Sequence, residues 1–352
     1  MHVVIMAGGA GTRFWPLSRR HRPKQLLTLF SDRPMVAETV ARFEATVPAE
    51  RTWIVTSESL GEAVHEAVPS LPAGNVLREP QARNTAPCIA LALAAIEESG
   101  AAPDAVVAVF PADHYIRDTE RLLQTVSQGV RAARDGAIVT LGIEPTRPET
   151  GYGYMKRGAL GSDGVADVER FVEKPDRETA LRYLADGEYL WNAGIFLFRI
   201  DTMKAEFARQ MPRVWGVYEA MRAALRQGDS AALAEVYNRL PNVSFDYGIM
   251  EGATRVRVVP ATFGWSDVGA WDALPEVADT DAHGNVCMGD VVAIDCTNSV
   301  LVGHDRRVLA AVGLRDLVVV DSEDALLVAP RARVQEVRAI VDALRLREGG
   351  LT

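Results

Sequence analysis

Apolar and polar positions follow two rhythms along the first half of the chain. Short continuous apolar runs ("HVVIM", "TWIVT", "NVLRE", "AVVAVF", "AIVTLGI") recur between segments whose apolar residues return at helical spacing. Val36, Val40, Phe43 and Val47 mark one such segment, and further helices are expected near 59–68, from 86 to 98 and near 118–134. A strand with one wet face alternates, whereas a strand buried on both faces is apolar throughout. The rhythm therefore predicts a parallel sheet covered by helices on both sides, with ligands at the carboxyl ends of its strands.

Beyond residue 150 the pattern is mixed: "YGYM", "ERFVEKP" and "LWNAGIFLF", a helical stretch from 201 to 238, then "RVRVVP" and "GWSDVG". From 285 to 328 short β-like runs ("GDVVAID", "NSVLVG", "RVLAAVG", "DLVVVD", "ALLVA") repeat between Asp-rich or Gly-bearing turns. An amphipathic C-terminal helix follows, with Val334, Val337, Ile340, Val341 and Leu344 on one face. We read 1–284 as one domain and 285–352 as a small β-rich unit ending in a helix. So small a unit with apolar strands needs cover, and self-association into a homodimer is expected.

The stretch "VVIMAGGAGTRFWPLSRRHRPKQLL" carries the first candidate chemistry. It is not a Walker A loop, because Gly11 is followed by Thr12 and Arg13 rather than by Lys and a hydroxyl residue. It is not a dinucleotide fingerprint either, since Phe14 stands where a third small residue is needed. What remains is a βα turn, Gly8, Gly9 and Gly11, whose missing Cβ atoms let backbone N–H groups approach an anion. Residues 1–31 hold no Asp or Glu but do hold Arg13, Arg19, Arg20, Arg22 and Lys24. With a net charge of −9 the whole chain repels nucleic acid and anionic lipid, so an anionic ligand must be met by such a local site or through a metal. Only four lysines stand against 34 arginines, and two of them, Lys24 and Lys174, fall in motif-like stretches.

Other composition narrows the class. No apolar run approaches a membrane span, and the N-terminus runs directly into a strand-like segment without a leader pattern, which favours the cytoplasm. Cys88, Cys287 and Cys296 show no C-x-x-C spacing, so each is expected as a small buried hydrophobe.

"AGGAGTRFWPLS" and "PKQLL" are followed in order by "REPQARNTAP", "FPADH", "TGYGY", "FVEKP", "WNAGIF", "SFDYGIME" and "GWSDVG". Together these strings resemble the sugar-1-phosphate nucleotidylyltransferases, in their mannose-1-phosphate guanylyltransferase branch, and the resemblance covers essentially the whole chain. It implies a Rossmann-like mixed, mostly parallel sheet flanked by helices, of the GT-A-like nucleotidyltransferase kind. The implied reaction is in-line attack of the mannose 1-phosphate oxygen on the α-phosphorus of GTP, with Mg²⁺ as cofactor. An oxygen already anionic near neutral pH needs no general base, and the sequence offers no recognisable one.

By the same resemblance Arg13 and Lys24 stabilise the departing pyrophosphate, and Asp113 and Asp267 ligate the metal. Glu173 accepts from sugar hydroxyls, Lys174 meets the sugar phosphate, and Gly153 and Asn192 line the sugar pocket. Glu79 and Asn84 are candidates for the base, because a carboxylate can accept from the two donors on guanine's edge. An Arg78–Glu79 ion pair competes with that reading, as helix capping competes for Asp113 and a turn role for Asp267. UTP or dTTP with glucose 1-phosphate, a non-catalytic regulatory homologue and a glycosyltransferase remain as alternatives. The intact Arg13, Lys24, Asp113 and Asp267 speak against the regulatory homologue, and the missing D-x-D string against the glycosyltransferase.

Overall fold

The computed structural model describes residues 1–9 and 11–347. The chain forms two compact units, one of residues 1–8, 39–112 and 118–265, the other of 9–38, 113–117 and the chain from 266 on. The described part of the expected C-terminal unit from 285 falls in the second, together with Gly9, Gly11 and Asp113, while Gly8 belongs to the first. The last five residues of the expected unit, 348–352, lie outside the described ones.

The first unit is built on a nine-stranded sheet. Its strands are β1 (His2–Met6), β2 (Thr52–Ser57), β3 (Val76–Glu79), β4 (Val106–Pro111), β5 (Ile138–Ile143), β6 (Tyr154–Leu160), β7 (Ala166–Val172), β8 (Tyr189–Arg199) and β9 (Val256–Ala261). The spatial order is β3-β2-β1-β4-β8-β5-β9-β7-β6. The half β3-β2-β1-β4 is parallel, as the alternation of strands with helices predicts. The other half is mixed, as expected, but not mostly parallel, although β9 runs parallel to β5. β8 runs antiparallel to both β4 and β5, and β6 and β7 are antiparallel neighbours. Apolar continuity reports burial on both faces, which β8 has along nearly its whole length, but it carries no information on direction.

The helix Thr85–Glu98 explains the run "TAPCIALALAAIEE". It packs on β1, β2 and β3 and against the helices Pro212–Gln227 and Phe245–Gly248, so Ala86 through Ile96 are all buried. The expected helix over 201–238 is three: Ile200–Gln210, Pro212–Gln227 and Ser230–Tyr237. Pro212 opens the second, and Gly228, at φ +64°, closes it in the left-handed conformation.

In the second unit, β10 (Val286–Met288), β12 (Val300–Val302) and β14 (Leu317–Asp321) stack in parallel, as do β11 (Val291–Ile294) and β13 (Leu309–Val312). Successive turns of the chain thus lay Val286, Val300 and Val318 over one another inside. Asp295, Asn298 and Asp316 adopt positive φ beside these strands, a conformation short polar side chains tolerate. β15 (Leu326–Pro330) closes the stack antiparallel to β14. The inner valines share one core with Phe14, Trp15, Leu27, Val268 and Trp271, and with Val334, Val337 and Val341 at the C-terminal helix. Ile340, expected on that apolar face, is 40% exposed, one step off the buried stripe. Cys88 and Cys296 are buried as expected, whereas Cys287 is exposed. No helix among the described residues is long and apolar enough to cross a membrane.

One buried acid in the first unit gives stability a pH dependence. Glu79, the last residue of β3, is 7% exposed, accepts a hydrogen bond from the Tyr237 hydroxyl, and is pushed by burial from 4.5 up to about 7. A raised carboxyl pKa means that the folded state binds the proton more tightly than the unfolded chain. The contribution is therefore full below pH ~4.5 and is lost as pH rises through ~7. We expect unfolding free energy from urea titrations to fall over that window. Glu79→Gln should remove roughly 2–3 kcal/mol of the fall, and equal slopes for both proteins would contradict the assignment.

Candidate active site

In the second unit the glycine turn is shaped by Lys24. Gly11 sits at φ +54°, and a Cβ there would lie 2.5 Å from the Lys24 backbone nitrogen, so only glycine allows this approach. Lys24 is 4% exposed. Its ammonium donates to the Asp113 carbonyl at 2.7 Å, to Asp113 Oδ2 at 3.0 Å and to the Asp267 carbonyl at 2.5 Å. Three donors thus meet three acceptors. Burial works to raise the Asp113 pKa, but the charges of Lys24 and His114 and the Lys24 hydrogen bond outweigh it and hold the carboxyl below its ordinary value. The capping alternative for Asp113 fails, because the following helix, Thr119–Ala133, is capped by Asp118.

Asp267 is presented by a strained turn. Val268 is buried at φ +45°, a conformation that costs a β-branched residue energy. At Gly269 a Cβ would stand 3.2 Å from Asp267 Oδ2 and 3.4 Å from Arg13 Nη1, so the absent side chain leaves room between a carboxylate and a guanidinium. Gly9, Gly11, Thr12, Arg13, Lys24, Asp113, His114, Asp267 and Gly269 line one cavity of about 410 Å³. Phe14 lines it too, and Arg338, Asp342 and Arg345 complete its wall; the sequence pattern assigns these three only to an amphipathic helix. The cationic burst of the N-terminal stretch is divided, since Arg19 pairs with Asp324 at 2.6 Å.

The remaining candidates lie in the first unit. Gly153, Glu173 and Asn192 meet at one end of β6, β7 and β8, where Tyr154 pairs with both Val172 and Trp191. The Gly153 carbonyl accepts from the Asn192 N–H at 2.8 Å, and a Cβ on Gly153 would lie 2.7 Å from Glu173 Oε2. The Asn192 side chain accepts from Thr140 Oγ1 at 2.9 Å and donates to Asp246 Oδ1 at 2.9 Å. Lys174, at φ +46°, pairs with the buried Glu173 carboxylate. Asp246 stands in the string "SFDYGIME", where nothing in the sequence distinguishes it. Burial first, and Glu173 second, raise it to about 6, which marks it as part of this polar cluster.

Of the base candidates, Asn84 stands at φ +69° and caps the helix Thr85–Glu98 with its Oδ1, 2.9 Å from the Thr85 N–H. Phe245 N–H in turn donates to Thr85 Oγ1 at 2.7 Å, which joins the Asn84 turn to the segment bearing Asp246. Glu79 is not open to a purine edge: it is buried and one oxygen serves Tyr237. The Arg78–Glu79 pair is also absent. Arg78 pairs with Glu62 at 3.2 Å and Glu58 at 3.7 Å, since neighbours in a strand point to opposite faces. Gly8 ends the first segment of this unit, with open space where a Cβ would be.

Known proteins share both parts of the chain. Residues 2–284 match the Nucleotidyl transferase family, and residues 289–344 match the MannoseP isomerase/GMP-like beta-helix domain. The chain is 41% identical over 346 residues to the xanthan biosynthesis protein XanB of Xanthomonas campestris pv. campestris (strain B100), covering 97% of this chain and 73% of that one. It is 39% identical over 358 residues to the mannose-1-phosphate guanylyltransferase of Escherichia coli (strain K12), with 98% and 73% covered. A crystal structure from Thermus thermophilus, described as a mannose-1-phosphate geranyltransferase, superposes with a TM-score of 0.89 at 41% identity over 98% of this chain and 99% of that one. With the family's model matching most of its length and its strings of glycine, cation and carboxylate gathered as described, the chain belongs to the Nucleotidyl transferase family.

Proposed function

We propose that the protein is a mannose-1-phosphate guanylyltransferase, which joins GTP and α-D-mannose 1-phosphate into GDP-mannose and pyrophosphate. The observation that carries the reading is one cavity holding Gly9, Gly11, Arg13, Lys24, Asp113 and Asp267. Relatives of that name, 38–40% identical over 97–98% of this chain, support the substrate pair. Geranyl transfer, the wording attached to the Thermus structure, calls for an apolar channel for an isoprenoid chain. A cavity walled by Arg13, Lys24, Asp113 and Asp267 offers charge instead.

An oxygen of the sugar phosphate forms the new bond to the α-phosphorus, and the bond to the bridging oxygen of pyrophosphate breaks in line. The nucleophile enters as an anion, so the site's work is to hold two polyanions and spread the developing charge. Gly8, Gly9 and Gly11 offer backbone to the phosphates, and Arg13 and Lys24 supply positive charge to the leaving group. Asp113 and Asp267 suit Mg²⁺. Asp113 is held in its ionised form, and Gly269 leaves the Asp267 carboxylate uncrowded; a hard cation that takes one or two protein carboxylates fits such a donor set. When bound, Mg²⁺ neutralises charge on the triphosphate oxygens.

On the sugar side Glu173 accepts from hydroxyls, Lys174 meets the phosphate, Gly153 leaves room beside Glu173, and Asn192 orients the cluster through Thr140 and Asp246. Asn84, whose Oδ1 is used in capping, keeps its amide donors for the base. This reading assigns catalysis to 1–284 and self-association to 285–352, and puts the enzyme in the cytoplasm with its nucleotide. Ile294 and Val312, partners in the β11–β13 ladder and 54% and 68% exposed, support a homodimer formed through this region.

The deciding experiment measures pyrophosphate release over a panel of triphosphates and sugar phosphates. GTP with mannose 1-phosphate should exceed UTP or dTTP with glucose 1-phosphate by at least about tenfold in kcat/KM, and the reverse order would defeat the assignment.

Asp113→Asn and Asp267→Asn should each lower kcat about a hundredfold or more, roughly 3 kcal/mol, with folding retained; near-normal turnover would remove that residue from the metal site. Lys24→Ala should chiefly impair use of GTP and Lys174→Ala chiefly raise KM for mannose 1-phosphate, and identical kinetic profiles would contradict the division.

For the homodimer, the double variant Ile294→Asp/Val312→Asp should sediment as a monomer at a concentration where the unaltered protein is dimeric. An unchanged mass would rule out this surface.

A further inference from the structure

The C-terminal helix Val337–Arg345 is more than cover for the stacked strands. Val337 and Val341 turn into the core of the second unit, and this fixes which face points elsewhere. Arg338, Asp342 and Arg345, spaced four and three residues apart, share the neighbouring face and line the cavity that holds Arg13, Lys24, Asp113 and Asp267. The segment just before the helix is tied to the same machinery. Gln335 Oε1 accepts from Arg13 Nη1 at 3.4 Å, and Gln335 Nε2 donates to Asp272 Oδ1 at 3.3 Å.

Charge on this wall is distributed unevenly. Asp342 is engaged by Arg345 at 2.9 Å, and Lys24 is engaged by Asp113 and the Asp267 carbonyl. Arg338 is exposed on the cavity wall and is paired with no carboxylate among the described residues, so its charge remains available to a ligand. A guanidinium presents a planar fork of donors suited to two phosphate oxygens at once. We propose that Arg338, brought by the C-terminal helix, is a further phosphate-binding residue of the triphosphate site, so that binding of the nucleotide's outer phosphates depends on a part of the chain beyond the 2–284 match to the Nucleotidyl transferase family. The inference rests on the reading of that cavity as the triphosphate site.

The unaltered protein and its Arg338→Ala, Arg338→Glu and Arg338→Lys variants are compared in two measurements. Steady-state kinetics with each substrate varied should show KM for GTP raised roughly fivefold to thirtyfold in Arg338→Ala, more in Arg338→Glu, and partly restored in Arg338→Lys. KM for mannose 1-phosphate and the thermal midpoint should stay at the values of the unaltered protein, which a purely structural role would not produce. Calorimetric titration with inorganic tripolyphosphate should give the same order of affinities. If Arg338→Ala and Arg338→Glu keep the unaltered affinity for tripolyphosphate and KM for GTP, or if the unaltered protein does not bind tripolyphosphate, the proposal is overturned. Should the unaltered protein release pyrophosphate from no substrate pair, the functional reading fails while the titration still decides the role of Arg338.

Discussion

A buried ammonium governs the second unit. Lys24 has lost almost all contact with water, and an ammonium in that position is tolerable only if its donors are satisfied and a counter-charge is near. The Asp113 carbonyl, the Asp113 carboxylate and the Asp267 carbonyl meet those needs, so two loops far apart in the chain must converge on one residue. The glycine turn is drawn into the same constraint, because Gly11 packs directly on the Lys24 backbone. The cavity is the space these segments leave, walled by the groups that hold them.

The cost of this arrangement is visible in the backbone. Val268 and Lys174 occupy the left-handed region without being glycine, and Asn84 has a positive φ; each belongs to one of the strings that carry the family resemblance. Such conformations persist only where the surroundings over-determine them, and here they do: Val268 is fixed in a core, Lys174 by its pair with Glu173, Asn84 by capping. In the first unit Asn192 plays the part that Lys24 plays in the second. One side chain satisfies Thr140 and Asp246 while its backbone meets Gly153, which ties β5, β6, β8 and the helix Phe245–Gly248 to a single polar point.

The sequence by itself determined the strand-helix alternation, the glycine turn, the placing of Lys24 and Arg13 in an acid-free segment, and the acid Asp113 that follows a strand-like run. These are local signals: burial on both faces makes a run apolar, and the need for close backbone approach selects glycine. Direction and partnership are not local. Only the tertiary structure decided that β8 runs antiparallel between β4 and β5, that Glu79 turns inward to Tyr237 while Arg78 turns outward to Glu62, and that Asp246 shares a cluster with Glu173. The C-terminal helix is the clearest case. Its apolar stripe was legible as something to bury, but an exposed arginine on a helix face has no pattern that separates a solvated charge from one aimed into a cavity. Arg338 became part of a site only when the core shared by Trp271, Val337 and Val341 set the helix against the glycine turn.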